Sequence, residues 1–251
     1  MSKNTQSPPI AIYGVHPVME AIKSKKKVLE VWVAESRNPR ILKIQDLCSQ
    51  NNIPCYLKTK NEFKQWESKN HQGIIAFLSL NTVQYSSLDN FFQENQVHTP
   101  YLFILLDSIT DPRNLGAIIR TCDYFSVSGV ITQTRRAAPI TSIVHKTSSG
   151  ALSFVPIIQV ANMTQAINWL KSKDTWVYGM DVSTDTHINE CNLKGNIALV
   201  LGSEGEGLRR LVRESCDFLV SIENYGHIDS LNVSVASGIA LYEVMRQRSN
   251  V

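Results

Sequence analysis

From residue 100 onward the chain repeats one device, a short run of apolar residues without polar alternation. The runs are YLFILLD, GVIT, VPIIQV, WVYGMDV, NIALVLG and DFLVSIE. A strand with one wet face alternates apolar and polar side chains, so uninterrupted runs belong to strands buried on both faces. Between them lie helical segments that begin near Pro112, Thr141, Asn162, Gly207 and Asn232. Strand and helix in alternation predict a doubly wound α/β domain whose parallel sheet is covered on both sides.

The earlier part of the chain reads as a smaller, three-layer α/β unit. HPVMEAIKS, ILKIQDLCSQNN and FKQWES are helical; VLEVWVAES, with period-two alternation at Leu29, Val31 and Val33, is a strand, as are IPCYL and GIIAFLSL. Residues 81–98 are polar and turn-rich apart from Leu88, Phe91 and Phe92, which predicts a linker with one short helix. The predicted organisation is therefore an N-terminal domain over 1–80, a linker over 81–98 and a larger domain over 99–251.

Composition narrows the function classes. A net charge of +3 permits a nucleic-acid partner without requiring one. The five cysteines, Cys48, Cys55, Cys122, Cys191 and Cys216, form no CxxC pair, so neither a disulfide framework nor a zinc site is predicted. The six histidines are scattered without HExxH, and no metal is expected. The first ten residues lack an apolar signal core and no apolar run approaches the roughly 20 residues of a bilayer span. A cytoplasmic protein without a membrane partner is the expectation.

Strand ends are where α/β folds place ligands. After YLFILLD, Asp111 can cap a helix whose first residue is Pro112. On that helix Asn114 and Arg120 are six residues apart, about 120° around the axis, so they need not touch. Arg113 and Arg120 suit a phosphate, or else a solvated helix face. After IALVL, a loop carries Glu204 and Glu206 among Gly202, Gly205 and Gly207, and Gly207 is predicted to open a helix. It is neither a Walker loop nor GxGxxG, and two glutamates suit a cationic or hydrogen-bond-donating group better than a phosphate. After DFLVSIE, Ser230 or Asn232 can cap the last helix. There is no GxSxG elbow and no reason to nominate a Ser or Cys nucleophile.

Three stretches taken together, LDSITDPRNLGAIIRTCDYFSVSGVI, IALVLGSEGEGLRRLV and SLNVSVASGIALYEVMRQR, closely resemble the sequence motifs of the SpoU–TrmH branch of the SPOUT RNA methyltransferases. HKTSSGAL resembles the family's Ser-Gly-Ala segment. YGVHPVMEAI and HQGIIAF resemble the RNA-binding N-terminal domain, with a ribosomal-protein-like fold, of the bacterial 23S rRNA guanosine 2′-O-methyltransferases. The resemblance implies a deep trefoil knot in the C-terminal domain and S-adenosylmethionine bent into the knotted loops. By position, Gly202, Ile222 and Leu231 would hold the cofactor through backbone groups, with the loop through Gly207 close by. Asn114, Arg120, Glu204, Ser230 and Asn232 would form the catalytic centre. The resemblance also implies a homodimer with the knot at its interface and an active site shared between subunits.

The expected activity is S-adenosylmethionine-dependent 2′-O-methylation of a guanosine in 23S rRNA, free or in a precursor of the large subunit, with no DNA partner. Lys25, Lys26 and Lys27 would add phosphate contacts, or form a solvated turn. The competing readings are a tRNA ribose 2′-O-methyltransferase and a non-catalytic RNA-binding ribosome-assembly factor. A dehydrogenase is disfavoured because GxGxxG is missing.

Overall fold

The computed structural model describes residues 9–23, 28–35, 38–67, 71–78, 84–85, 87–95 and 98–249. The chain divides into two compact units, 1–81 and 82–251. The basic turn at Lys25, Lys26 and Lys27 lies outside the described residues.

The first unit contains β1 (Ile10–Tyr13), α1 (Val15–Lys23), β2 (Val28–Ala34), α2 (Pro39–Gln50), β3 (Cys55–Lys58), α3 (Lys60–Phe63) and β4 (Ile74–Leu78). Its sheet has the order β1-β4-β2-β3, with β4 antiparallel to β1 and β2, and β3 parallel to β2. The period of two in β2 sends Val31 and Val33 into a core with Ile74, Ala76 and Leu78 of β4. Helix α1 supplies Val15, Val18 and Ile22, and α2 supplies Ile41, Ile44 and Cys48. Both sets recur at helical spacing and make one apolar stripe each. Trp32 and Phe77, of opposite parity, meet with ring centroids 4.8 Å apart, and Trp66 of the turn after α3 adds an edge contact to Phe77 at 6.2 Å. The strand β1 was not expected: IAIY is only four residues long and gains its place by pairing with β4.

The second unit runs β5 (Gln84–Tyr85), α4 (Leu88–Glu94), β6 (Leu102–Leu106), α5 (Pro112–Tyr124), β7 (Gly129–Gln133), α6 (Ser142–Thr147), β8 (Ile157–Val160), α7 (Met163–Lys171), β9 (Trp176–Met180), β10 (Ile197–Leu201), α8 (Arg210–Ser215), β11 (Phe218–Val220) and α9 (Val233–Ser249). Seven parallel strands lie in the order β11-β9-β10-β6-β7-β8-β5. Every residue of β6, β7 and β10 is buried. Leu102, Ile104 and Leu106 face Leu115, Ile118, Ile119 and Cys122 of α5 and Ala240, Leu241 and Val244 of α9. Phe103 and Leu105 face the other way, with Ala166, Ile167 and Leu170 of α7. The parallel sheet covered on both faces is therefore the observed architecture. No described helix is long and apolar enough to cross a membrane.

Two expectations are corrected. Residues 84–94, read as linker, belong to the second unit: β5 pairs with β8, and Leu88 and Phe91 are buried in the core formed with α7. Trp169 also donates its indole N–H to Asp89 at 3.0 Å. The polarity of the segment concealed how much its three apolar anchors bury. The helix expected to open at Gly207 begins at Arg210, because Gly207 holds φ at 68°, left-handed and outside helical geometry.

The position of Phe91 generates a prediction. Phe91→Ala should cost about 3–5 kcal/mol of stability, as in a core, whereas a solvated linker residue would cost within about 0.5 kcal/mol. Urea unfolding of the two proteins separates these outcomes.

Candidate active site

Strands β6 and β10 are neighbours at the middle of the sheet, and the chain leaves them in different directions. Such a switch point opens a crevice at the carboxyl ends of the strands. Three loops meet there.

The first follows β6. Asp107 extends the strand pairing, its N–H reaching the Leu201 carbonyl at 2.9 Å, and is fully buried. Ser108 turns the chain with φ at 63°. Asp111 then caps α5 by accepting from the Arg113 N–H at 2.7 Å, with Pro112 at the first helical position. Asn114 follows in the first turn.

The second loop, after β10, is a tight hairpin. Ser203 and Gly207 exchange main-chain bonds of 3.1 and 3.0 Å, and Gly205 and Gly207 carry φ of 87° and 68°. A Cβ at Gly202 would lie 2.2 Å from the Gly207 carbonyl carbon and 2.4 Å from its oxygen, so only glycine lets the hairpin close. Leu208 then anchors the loop in the core, and Arg209 locks it to the end of β6. The Arg209 main-chain N–H donates to Asp107 Oδ2 at 2.9 Å and its Nε–H to Oδ1 at 2.7 Å. Its Nη2 also contacts Asp107 and donates to Gln133 Oε1 at 2.8 Å. A buried carboxylate is tolerated because donors surround it.

The third loop leads to α9, which Asn232 caps by accepting from the Ser234 N–H at 2.9 Å and its hydroxyl at 2.5 Å. The other end of the same amide joins the three loops. Asn232 Nδ2 donates to Glu204 Oε1 at 2.5 Å and to Asn114 Oδ1 at 3.1 Å, while Asn114 Nδ2 donates to Glu204 Oε1 at 2.9 Å. Each amide thus uses its oxygen as acceptor and its nitrogen as donor, and the glutamate accepts from both.

The structure therefore brings Asn114, Glu204 and Asn232 into one cluster, with Gly202 and Gly207 in contact beside it. Arg120 lies elsewhere on α5; it is exposed and has no hydrogen-bond or ion-pair partner among the described residues. Ser230 is exposed in the loop before Asn232. Leu231 is 48% exposed, and Ile222 packs against the core of α5 and α9. Burial pushes the Cys122 thiol up and the Cys216 thiol up to about 12, so neither is a thiolate at neutral pH. Sequence reasoning missed the clamp of Asp107, Arg209 and Gln133. Its one signal was an aspartate closing an otherwise apolar strand.

That clamp is testable. Arg209→Ala leaves Asp107 buried without its cation and should cost about 3–5 kcal/mol in urea unfolding. Adding Asp107→Asn to Arg209→Ala should recover part of that loss, since the uncompensated charge is removed.

Residues 101–242 match the model of the SpoU rRNA Methylase family, and residues 11–83 match that for RNA 2′-O ribose methyltransferase substrate binding. The chain is 38% identical to the 23S rRNA (guanosine-2′-O-)-methyltransferase RlmB of Coxiella burnetii, over 95% of this chain and 96% of that one. It is 35% identical to a putative TrmH family tRNA/rRNA methyltransferase, YacO, of Bacillus subtilis, over 96% of each. Among solved structures, the SpoU methyltransferase AviRb from Streptomyces viridochromogenes, in complex with AdoMet, superimposes with a TM-score of 0.79 at 22% identity. That match covers 100% of this chain and 95% of the other, and shows a shared fold.

Proposed function

Because the chain belongs to the SpoU rRNA methylase family, we propose that it methylates the 2′-oxygen of a guanosine ribose in 23S rRNA, with S-adenosylmethionine as methyl donor. The observation that carries this reading is the joining of Asn114, Glu204 and Asn232 by three separate loops at the switch point.

The residues present fit the cofactor. A Cβ added at Gly205 or Gly207 would meet nothing within 4 Å, so the outer surface of this loop leaves room for an adenosine. The exposed side chain of Leu231 offers apolar surface, and the charge of Glu204 suits a cationic group. Backbone groups of Gly202, Ile222 and Leu231 would hold the adenosine, with Gly207 lining the approach. When bound, the cofactor supplies an electrophilic methyl group on a sulfonium.

The protein must align the hydroxyl and let its proton leave. Alignment alone contributes several kcal/mol, about 7–11 in the most favourable intramolecular cases. Asn114, Ser230 and Asn232 position the ribose and the cofactor's methionine end, with Glu204 holding both amides in register. Arg120 is a poor base, since a guanidinium stays protonated in proteins. It instead grips the phosphate beside the target ribose and stabilises the forming alkoxide, while the proton passes to water or phosphate.

The N-terminal unit would supply RNA affinity through phosphate contacts that depend on salt. A homodimer is part of the proposal: Val235, Ile239 and Tyr242 of α9, 49%, 39% and 60% exposed, recur at i, i+4 and i+7 as an apolar stripe of the kind a partner covers. Arg120 makes no bond to the Asn114 cluster, which supports a site completed by the second subunit. A trefoil knot around the loops after β10 and β11, a cytoplasmic location and a precursor large-subunit particle as substrate complete the reading.

Incubation of the purified protein with labelled S-adenosylmethionine and either unmodified large-subunit rRNA or bulk tRNA tests it. Label is expected at a guanosine 2′-oxygen of the rRNA, reduced about 100-fold or more by Asn114→Ala. Label confined to tRNA would keep the chemistry and overturn the substrate. Arg120→Lys, which keeps the charge but not the planar fork, should lose about tenfold or more. Near-full activity in that variant would end the bidentate role of Arg120.

A further inference from the structure

Arg120, Asp123 and Tyr124 stand at i, i+3 and i+4 on α5 and leave the helix on one face. Together with Phe125, Ser148 and Ser149 they line a cavity of about 510 Å³, within the roughly 300–1,000 Å³ typical of sites for small molecules. The wall is chemically divided. Arg120 and Asp123 do not pair with each other, and neither side chain has another hydrogen-bond or ion-pair partner among the described residues. Tyr124 is 83% exposed, yet its ring is propped edge-on by Phe125 at 5.2 Å and 86°. Phe125 in turn packs against the core. An aromatic ring supported at one edge keeps a face free for stacking.

A cation, an open ring face and a free carboxylate side by side match the parts of one nucleotide. The guanidinium suits a phosphate, and the ring suits any base plane. The carboxylate discriminates. It only accepts, through two oxygens, and guanine alone among the four RNA bases presents two adjacent donors, N1–H and N2–H, on its Watson–Crick edge. Adenine and cytosine place a ring acceptor beside their amino group, and uracil offers a single N–H between two carbonyls. Recognition of a splayed base by stacking and by its Watson–Crick edge is how single-stranded RNA is commonly read.

We propose that this cavity holds the base of the target guanosine, with Tyr124 stacked on its plane and Asp123 accepting from N1–H and N2–H, while Arg120 holds the adjoining phosphate. Asp123 is then a specificity-determining residue. The inference deepens the reading of the chain as a guanosine 2′-O-methyltransferase and rests on it.

The test uses the full chain and large-subunit rRNA joined from fragments, with either guanosine or inosine at the nucleotide the enzyme is found to methylate. Inosine lacks only the 2-amino group. The unaltered protein should favour guanosine by tenfold or more in kcat/KM, and Asp123→Asn should bring the ratio to within threefold of unity. A ratio is insensitive to loss of folded protein. Tyr124→Ala should raise KM for RNA at least tenfold, and Tyr124→Phe, which keeps the ring, should restore it. A guanosine preference unchanged in Asp123→Asn, or no preference in the unaltered protein, overturns the inference while the activity stands. A KM unmoved by Tyr124→Ala removes the stacking role. Absence of methyl transfer to either RNA by the unaltered protein would remove the activity and the inference together.

Discussion

The buried pair of Asp107 and Arg209 is the interaction on which the site depends. Asp107 ends the central strand with no exposure to water, and three donors of Arg209 reach it from the loop after the neighbouring strand. A carboxylate in that position would be costly if left alone. With its partner in place, it fixes where the Gly-rich hairpin leaves the sheet, and so where Glu204 meets the two asparagines. Gln133, from the strand on the other side of β6, extends the clamp across a third strand end. Stability and site geometry are thus governed by the same bonds.

The cluster above the clamp divides the work differently. Its three side chains are joined in one orientation, because each asparagine donates through nitrogen and accepts through oxygen, while Glu204 uses only Oε1 within the cluster. Order of this kind is established at folding and need not be purchased again when ligands arrive. The face of α5 bearing Arg120, Asp123 and Tyr124 is the opposite case, with charged groups left free and an aromatic ring held open. One helix therefore contributes a closed polar junction at its start and an open, ligand-shaped face at its end.

Much of this was legible in the sequence, for reasons particular residues make plain. LFILL and IALVL lack alternation because both of their faces are covered, and such runs alternating with helices point to a parallel sheet. Asp111 followed by Pro112 marks a helix start, and α5 begins there. The Asn114 cluster was legible as residue types at strand ends, but its bonds join residues 28, 90 and 118 positions apart, which no local pattern encodes. The Asp107 clamp spans 102 positions and was missed for the same reason. Residues 84–94 misled because three apolar anchors in a polar stretch look like a linker until a core receives them. Gly207 misled because the freedom of glycine serves a left-handed turn as readily as the entry to a helix.

The hairpin after β10 has an evolutionary corollary. Its shape comes from main-chain bonds between Ser203 and Gly207 and from the missing side chain at Gly202, not from what its exposed residues carry. Glu206, exposed at the tip, is consequently open to drift, whereas position 202 is closed to every other amino acid. A lineage descended from this chain could replace Glu206 and still be unable to alter the outline of the loop.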